Sequence, residues 1–95
     1  MGVALRVNCD RRDGRPGDSV RVEVAVDRPD AVSSIRLLVP DEGLEEFLSR
    51  SGDAWTLASS VPWNAPPGSY RVVVQAYDRD FKLCGQQETE FTVMP

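Results

Sequence analysis

Along most of the chain, apolar residues fall on every second position, the period of a strand with one buried face. In SVRVEVAVD, Val20, Val22, Val24 and Val26 share one side, while Arg21, Glu23 and Asp27 take the other. YRVVVQAYD repeats the pattern, with Tyr70, Val72, Val74 and Ala76 on the core side. Val73 and Tyr77 give its opposite side apolar character, which predicts that this face is partly covered. Weaker alternation predicts strands in VALRVN (3–8), SSIRLLV (33–39), AWTLASSV (54–61) and ETEFTV (88–93).

Turn-forming clusters separate these runs: RRDGRPGD, DRPD, SGD, NAPPGS and DRDFKLCG. Where proline occurs in them it fixes one dihedral, where glycine occurs it accepts unusual ones, and Asn, Asp or Ser can bond to nearby backbone. Short strands spaced by about ten residues predict an all-β sandwich or barrel. Residues 41–52, DEGLEEFLSRSG, admit two readings. Leu44, Phe47 and Leu48 have helical spacing behind an acidic first turn, whereas Leu44, Glu46 and Leu48 suit a short edge strand. The extended form is the expectation, because sandwiches commonly place a strand that switches sheets here.

RPGDSVRVEVAV, followed some forty residues later by VPWNAPPGSYRVVVQAYDRD and a closing ETEFTV, resembles bacterial immunoglobulin-like domains. These are relatives in architecture of fibronectin type III and cadherin modules. The resemblance runs from Val3 to Val93 and implies an antiparallel immunoglobulin-like β-sandwich of about seven strands, one domain over residues 1–95. It implies a turn at Pro66, Pro67 and Gly68, then Tyr70 with its ring in the core and its hydroxyl reaching corner backbone. Trp55 would cover the opposite side of that core. In such a topology Cys9 and Cys84, neither placed inside a predicted core strand, sit at opposite ends. That is a separation of roughly 20 Å, against the roughly 7 Å that a disulfide permits between Cα atoms. Two free thiols are therefore expected, which suits a reducing compartment better than an oxidising one.

Composition narrows the chemistry. Ninety-five residues suit one small domain with one modest core and no cleft between lobes. The net charge of −4 comes from interspersed acids and bases, so no basic face is available to release phosphate counterions, and no nucleic-acid partner is expected. RRDGR (11–15) is balanced by Asp10, Asp13 and Asp18 and reads as a solvated loop. No apolar run is long enough to cross a bilayer and no secretory leader opens the chain, so membrane insertion is not expected.

The chain has no histidine, which removes the commonest general base and every histidine-containing nucleophile pair or metal site. No phosphate-binding glycine loop is present. The protein is therefore expected not to be an enzyme and to need no cofactor. Asp78 and Asp80, with Asp27 and Asp30 at the same end of a sandwich, are weak calcium candidates, because Arg79 and Arg28 neutralise them and solvated turn acids account for the pattern. Glu42, Glu45 and Glu46 read as solvated acids, lacking the deep cleft that paired catalytic carboxylates require.

Trp63 lies outside the alternation, beside prolines, and either caps an open end of the sandwich or anchors an interface. Tyr77 faces away from the core. These two are the candidate interaction residues.

The resulting expectation is a non-catalytic structural or interaction module, of spacer or adhesion type, in a larger bacterial surface or secreted protein. Its partner would be another protein or a neighbouring domain of the same chain, and the isolated domain would be monomeric. Two alternatives stand beside it. One is a ligand-binding module for carbohydrate or dependent on calcium; the other is an intracellular appendage that assembles through an exposed strand.

Overall fold

The two strongest alternations become the two central strands of a sandwich. The computed structural model describes residues 2–95 and contains β1 (Leu5–Cys9), β2 (Asp13–Gly14), β3 (Ser19–Val26), β4 (Ser34–Val39), β5 (Leu44–Phe47), β6 (Ser49–Ser51), β7 (Ala54–Ser60), β8 (Gly68–Tyr77) and β9 (Leu83–Val93). Four strands form one sheet in the order β1-β3-β7-β6, and five form the other in the order β2-β9-β8-β4-β5. Neighbours are antiparallel except for the two-residue pairing of β2 with β9. This is an all-β, immunoglobulin-like sandwich, with one short strand, β2, where only a turn was expected and the extended 41–52 segment divided into β5 and β6.

The inward faces follow the predicted period. Val22 and Val24 of β3, Ile35 and Leu37 of β4, Trp55 of β7, and Val72, Val74 and Ala76 of β8 are buried together. Trp55 sits opposite Val24 across the β3–β7 ladder, and the Arg50 guanidinium lies 4.9 Å from its ring centroid. A second, smaller cluster of Val61, Ala65 and Val93 closes the far end, with Val20, Tyr70 and Phe91 packed on it.

The ambiguous segment resolves as the expected sheet switch. Pro40–Glu42 makes one 3₁₀ turn, β5 then pairs with β4 at the edge of the five-stranded sheet, and β6 pairs with β7 in the other. Leu48 is the pivot: it is buried, and its N–H donates to the Ile35 carbonyl at 2.9 Å.

The corner before β8 also forms as expected. Gly68 adopts φ 149°, open to glycine alone at little cost. The Tyr70 hydroxyl donates to the Pro66 carbonyl at 2.5 Å.

The cysteines require one correction. Both lie within strands, Cys9 ending β1 and Cys84 entering β9, and both pack against the core. The reason is that β9 begins five residues earlier than the alternation in ETEFTV suggests, with a bulge where Leu83 pairs with Tyr77. Both are free thiols. The Cys84 backbone carbonyl accepts the Val3 N–H at 2.7 Å, and Cys9, which ends β1, lies six residues beyond Val3. At strand rise that is roughly 20 Å away. This approach of the N-terminal segment needs a glycine next to Cys84: a Cβ on Gly85 would lie 2.7 Å from the Val3 carbonyl oxygen.

Candidate interaction surface

The outer face of the five-stranded sheet is built from the residues that alternate away from the core. Across β5, β4, β8 and β9, one row reads Phe47, Arg36, Gln75 and Gln86. The next pairs Ser34 with Tyr77, and Tyr77 with Leu83. On the other side of the Arg36 row, Val73 is buried although it faces outward, flanked by Leu38 and Glu88. The apolar character predicted for this face is real.

Arg36 organises the centre. One terminal nitrogen donates to Gln75 Oε1 at 2.8 Å and to the Tyr77 hydroxyl at 2.6 Å, and the other lies 3.4 Å from Glu45. Tyr77 in turn donates to Gln75 Oε1 at 2.8 Å, and Gln75 Nε2 donates to Gln86 at 2.9 Å. The guanidinium carbon is 5.3 Å from the Tyr77 ring centroid, within cation–π range. The network holds the long side chains flat across the sheet. Within it, Ser34 Oγ and Arg36 Nε are buried without a hydrogen-bond partner among the described residues.

Around this polar centre stand three exposed apolar side chains: Phe47 at 49 %, Leu83 at 52 % and Phe81 at 66 %. Phe81 stacks on Tyr77 with ring centroids 5.0 Å apart. It does so from a backbone φ of 60°, a left-handed conformation costly for a bulky residue. The turn enforces this geometry, because Asp78 Oδ1 accepts the N–H groups of Asp80 and Lys82 at 2.9 and 3.0 Å.

Of the residues singled out in the sequence, Tyr77 lies at the heart of this surface, half-buried and facing outward as expected. Trp63 does not join it. It precedes β8, whereas Tyr77 ends that strand, and ten residues of strand span roughly 30 Å. Trp63 is 84 % exposed, so it caps nothing within the domain.

The four aspartates do not assemble into a calcium site. Asp30, Asp78 and Asp80 border one shallow groove together with Arg50 and Arg79, while Asp27 is turned away, its Oδ1 accepting the Ala4 N–H at 2.9 Å. Asp78 Oδ1 is likewise turned to backbone, accepting the N–H groups of Asp80 and Lys82. Among the described residues no three side chains of metal-ligating type come together.

Phe47, Phe81, Leu83 and Arg36 were not singled out in the sequence. Phe47 carried a usable signal, since a strand with Leu44, Glu46 and Leu48 inward must turn Phe47 outward. Phe81 and Leu83 stood out only as large apolar residues inside a turn cluster.

No protein-family model matches the chain, and the curated proteins contain no match to it. Among solved structures, a Niemann-Pick type C2 protein from the Japanese carpenter ant superposes with a TM-score of 0.67, covering 99 % of this chain and 94 % of that one at 4 % sequence identity. At that identity the likeness establishes the fold, an immunoglobulin-like β-sandwich, and nothing further.

Proposed function

We propose that the protein is a non-catalytic interaction module of a larger bacterial surface or secreted assembly, akin in architecture to fibronectin type III and cadherin modules. It engages a partner protein or a neighbouring domain through the outer face of the five-stranded sheet. The observation that carries this reading is the grouping of Phe47, Phe81 and Leu83 around Tyr77 and Arg36 on one sheet face. Aromatic and Arg side chains are the residue types that dominate binding energy at interfaces, especially when a rigid scaffold holds them in place. The strained backbone at Phe81 fits the same role: folding tolerates a conformation whose effect is to present a ring.

A photoreactive benzoylphenylalanine at position 81 of the full-length protein in its host tests this. The expected result is one recurrent cross-linked protein or domain, lost in Phe47→Glu and Leu83→Glu variants that melt like the wild type. Labelling no greater than from an exposed control position, Arg21, overturns it. Cross-links from position 63 in place of 81 move the interface to Trp63.

A second reading, carbohydrate binding, draws on one feature, the stacked Tyr77–Phe81 rings beside the Gln75, Gln86 and Arg36 amide and guanidinium groups. A glycan array response abolished by Phe81→Ala, with no protein cross-link, favours it over the first.

A further inference from the structure

The interior of the sandwich is not filled to its far end. Between the sheets, on the side of Tyr70, lies a cavity of about 110 Å³. Val20, Val22, Leu57, Val72 and Phe91 are among the apolar residues that line it, and Cys9 lines it as well. Native interiors rarely leave such a space, because each missing contact costs stability. An apolar cavity also holds water poorly, so an apolar body entering it displaces little that was bound.

The cavity has a mouth, and its position follows from the sheet switch. β6 covers β7 only along Ala54–Thr56, so the edge of β7 from Leu57 to Ser60 has no neighbouring strand. Facing it is β5, the edge of the other sheet. One hydrogen bond crosses the gap, from the Ser59 hydroxyl to Glu46 Oε2 at 3.1 Å. It is exposed, and such a bond opens at small cost.

The charged residues that border the cavity are Glu42, Glu46 and Glu90, with no Lys or Arg among its lining. A carboxylate head group would meet like charge there, whereas an ammonium would meet opposite charge beside acceptor oxygens. The volume sets the size of the tail. A cavity of roughly 150 Å³ accommodates benzene, and pockets for drug-sized ligands begin at about 300 Å³. We infer that this cavity binds a short-chain primary ammonium, with an apolar body of about four to six carbons between the sheets and its head at the mouth against Glu42 and Glu46. The site is independent of the outer face proposed above, and neither reading requires the other.

Titration of the ¹⁵N-labelled protein with n-pentylamine, 1-pentanol and pentanoate at pH 7 tests the inference. The expected result is saturable shifts at Val22, Leu57 and Val72, tightest for the amine and weakest for pentanoate. Affinity should rise about four-fold per added CH₂ from propylamine to pentylamine and then level off as the cavity fills. Pentylamine should also slow alkylation of Cys9 while leaving Cys84 unaffected, each thiol followed by peptide mass. Glu46→Gln keeps an acceptor for Ser59 but removes the charge, so it should reduce the amine's advantage over the alcohol. Absence of saturable shifts with all three compounds overturns the site. Pentanoate binding as well as the amine, or an affinity that keeps rising past hexylamine, overturns the assigned head group or size. Leu57→Trp, checked by circular dichroism, should abolish binding by filling the space; where it fails to fold, the chain-length series carries the same test.

Discussion

The two ends of this sandwich are packed on different terms. At one end Val24, Ile35, Trp55 and Val74 are almost wholly excluded from solvent. The indole fills the space between the sheets, Leu48 pins the switch from β5 to β6, and Arg50 lies over the ring. At the other end the inward residues are mostly valines; Val22, Val61, Val72 and Val93 are buried, Val20, Leu57, Tyr70 and Phe91 only partly so, and a cavity remains among them. Both ends use the same two sheets and the same alternation, so the difference lies in side-chain volume and in where the edge strands stop. The sealed end carries the aromatic surface on its exterior, where a rigid support holds Tyr77 and Phe81 in position. The hollow end offers an interior. Alternation alone thus yields a sandwich, while the distribution of bulk along it separates a docking face from a binding cavity.

Truncation should separate the ends most strongly. Trp55→Ala removes the largest buried side chain and should cost about 3–5 kcal/mol, a large part of the stability of a domain this size. Leu57→Ala only widens a space that already exists, and should fall near or below the lower end of the usual range, about 2 kcal/mol. Urea denaturation measures both. Equal costs would mean that the hollow end is as tightly packed as the sealed one.

Enlargement should then reverse the sign. Val74→Ile adds a methylene where no room exists and should cost about 1–3 kcal/mol through overpacking. Val72→Ile, two residues along the same strand and facing the cavity, should be neutral or stabilising by up to about 1 kcal/mol. Shifts in urea midpoint at constant slope decide the matter, and a loss at Val72 matching that at Val74 would contradict the cavity.

The contrast was only half legible in the sequence. Val20, Val22, Val24 and Val26 announced a strand and its inward face, and PPGSY announced the corner where the Tyr70 hydroxyl meets Pro66, because both signals are local. Nothing local distinguished the surroundings of Val22 from those of Val24, since the difference is made across the β3–β7 ladder, where Trp55 sits opposite Val24 and Leu57, two residues along the same face, opposite Val22. The outer surface was harder still. Tyr77 was visible from its place in the alternation, but Phe47 and Phe81 come from a switch strand and a turn, and only the β4–β5 and β8–β9 registers bring them near Arg36. Trp63 drew notice by its chemistry and Asp27 by its neighbours in a turn, yet each is placed apart by distances that spacing along the chain does not encode.

The smallest expected effect is a dependence on alkaline pH. Burial raises the Cys9 thiol above its ordinary value; Asp10 adds to this and Arg12 opposes it. Partial burial, with the charges of Glu42 and Asp41, raises the Tyr70 hydroxyl likewise. At the sealed end Cys84 is raised too, by burial and by Asp78. A group whose value is higher in the folded chain contributes stability that is complete below its unfolded value and is lost as pH climbs through the folded one. The window therefore opens above pH 9.0 for the thiols and above pH 10.0 for the tyrosine. Two of these three groups border the cavity, so the hollow end should supply most of the alkaline loss. Cys9→Ala combined with Tyr70→Phe should flatten the fall in melting temperature above pH 9 more than Cys84→Ala does. Tyr70→Phe should also lower the melting temperature at pH 7 by about 2–8 °C, through loss of the bond to Pro66. Should Cys84→Ala flatten the alkaline limb more, the end taken here as sealed would be the one that resists ionisation, and the assignment of the softer interior to the Tyr70 side would have to be exchanged.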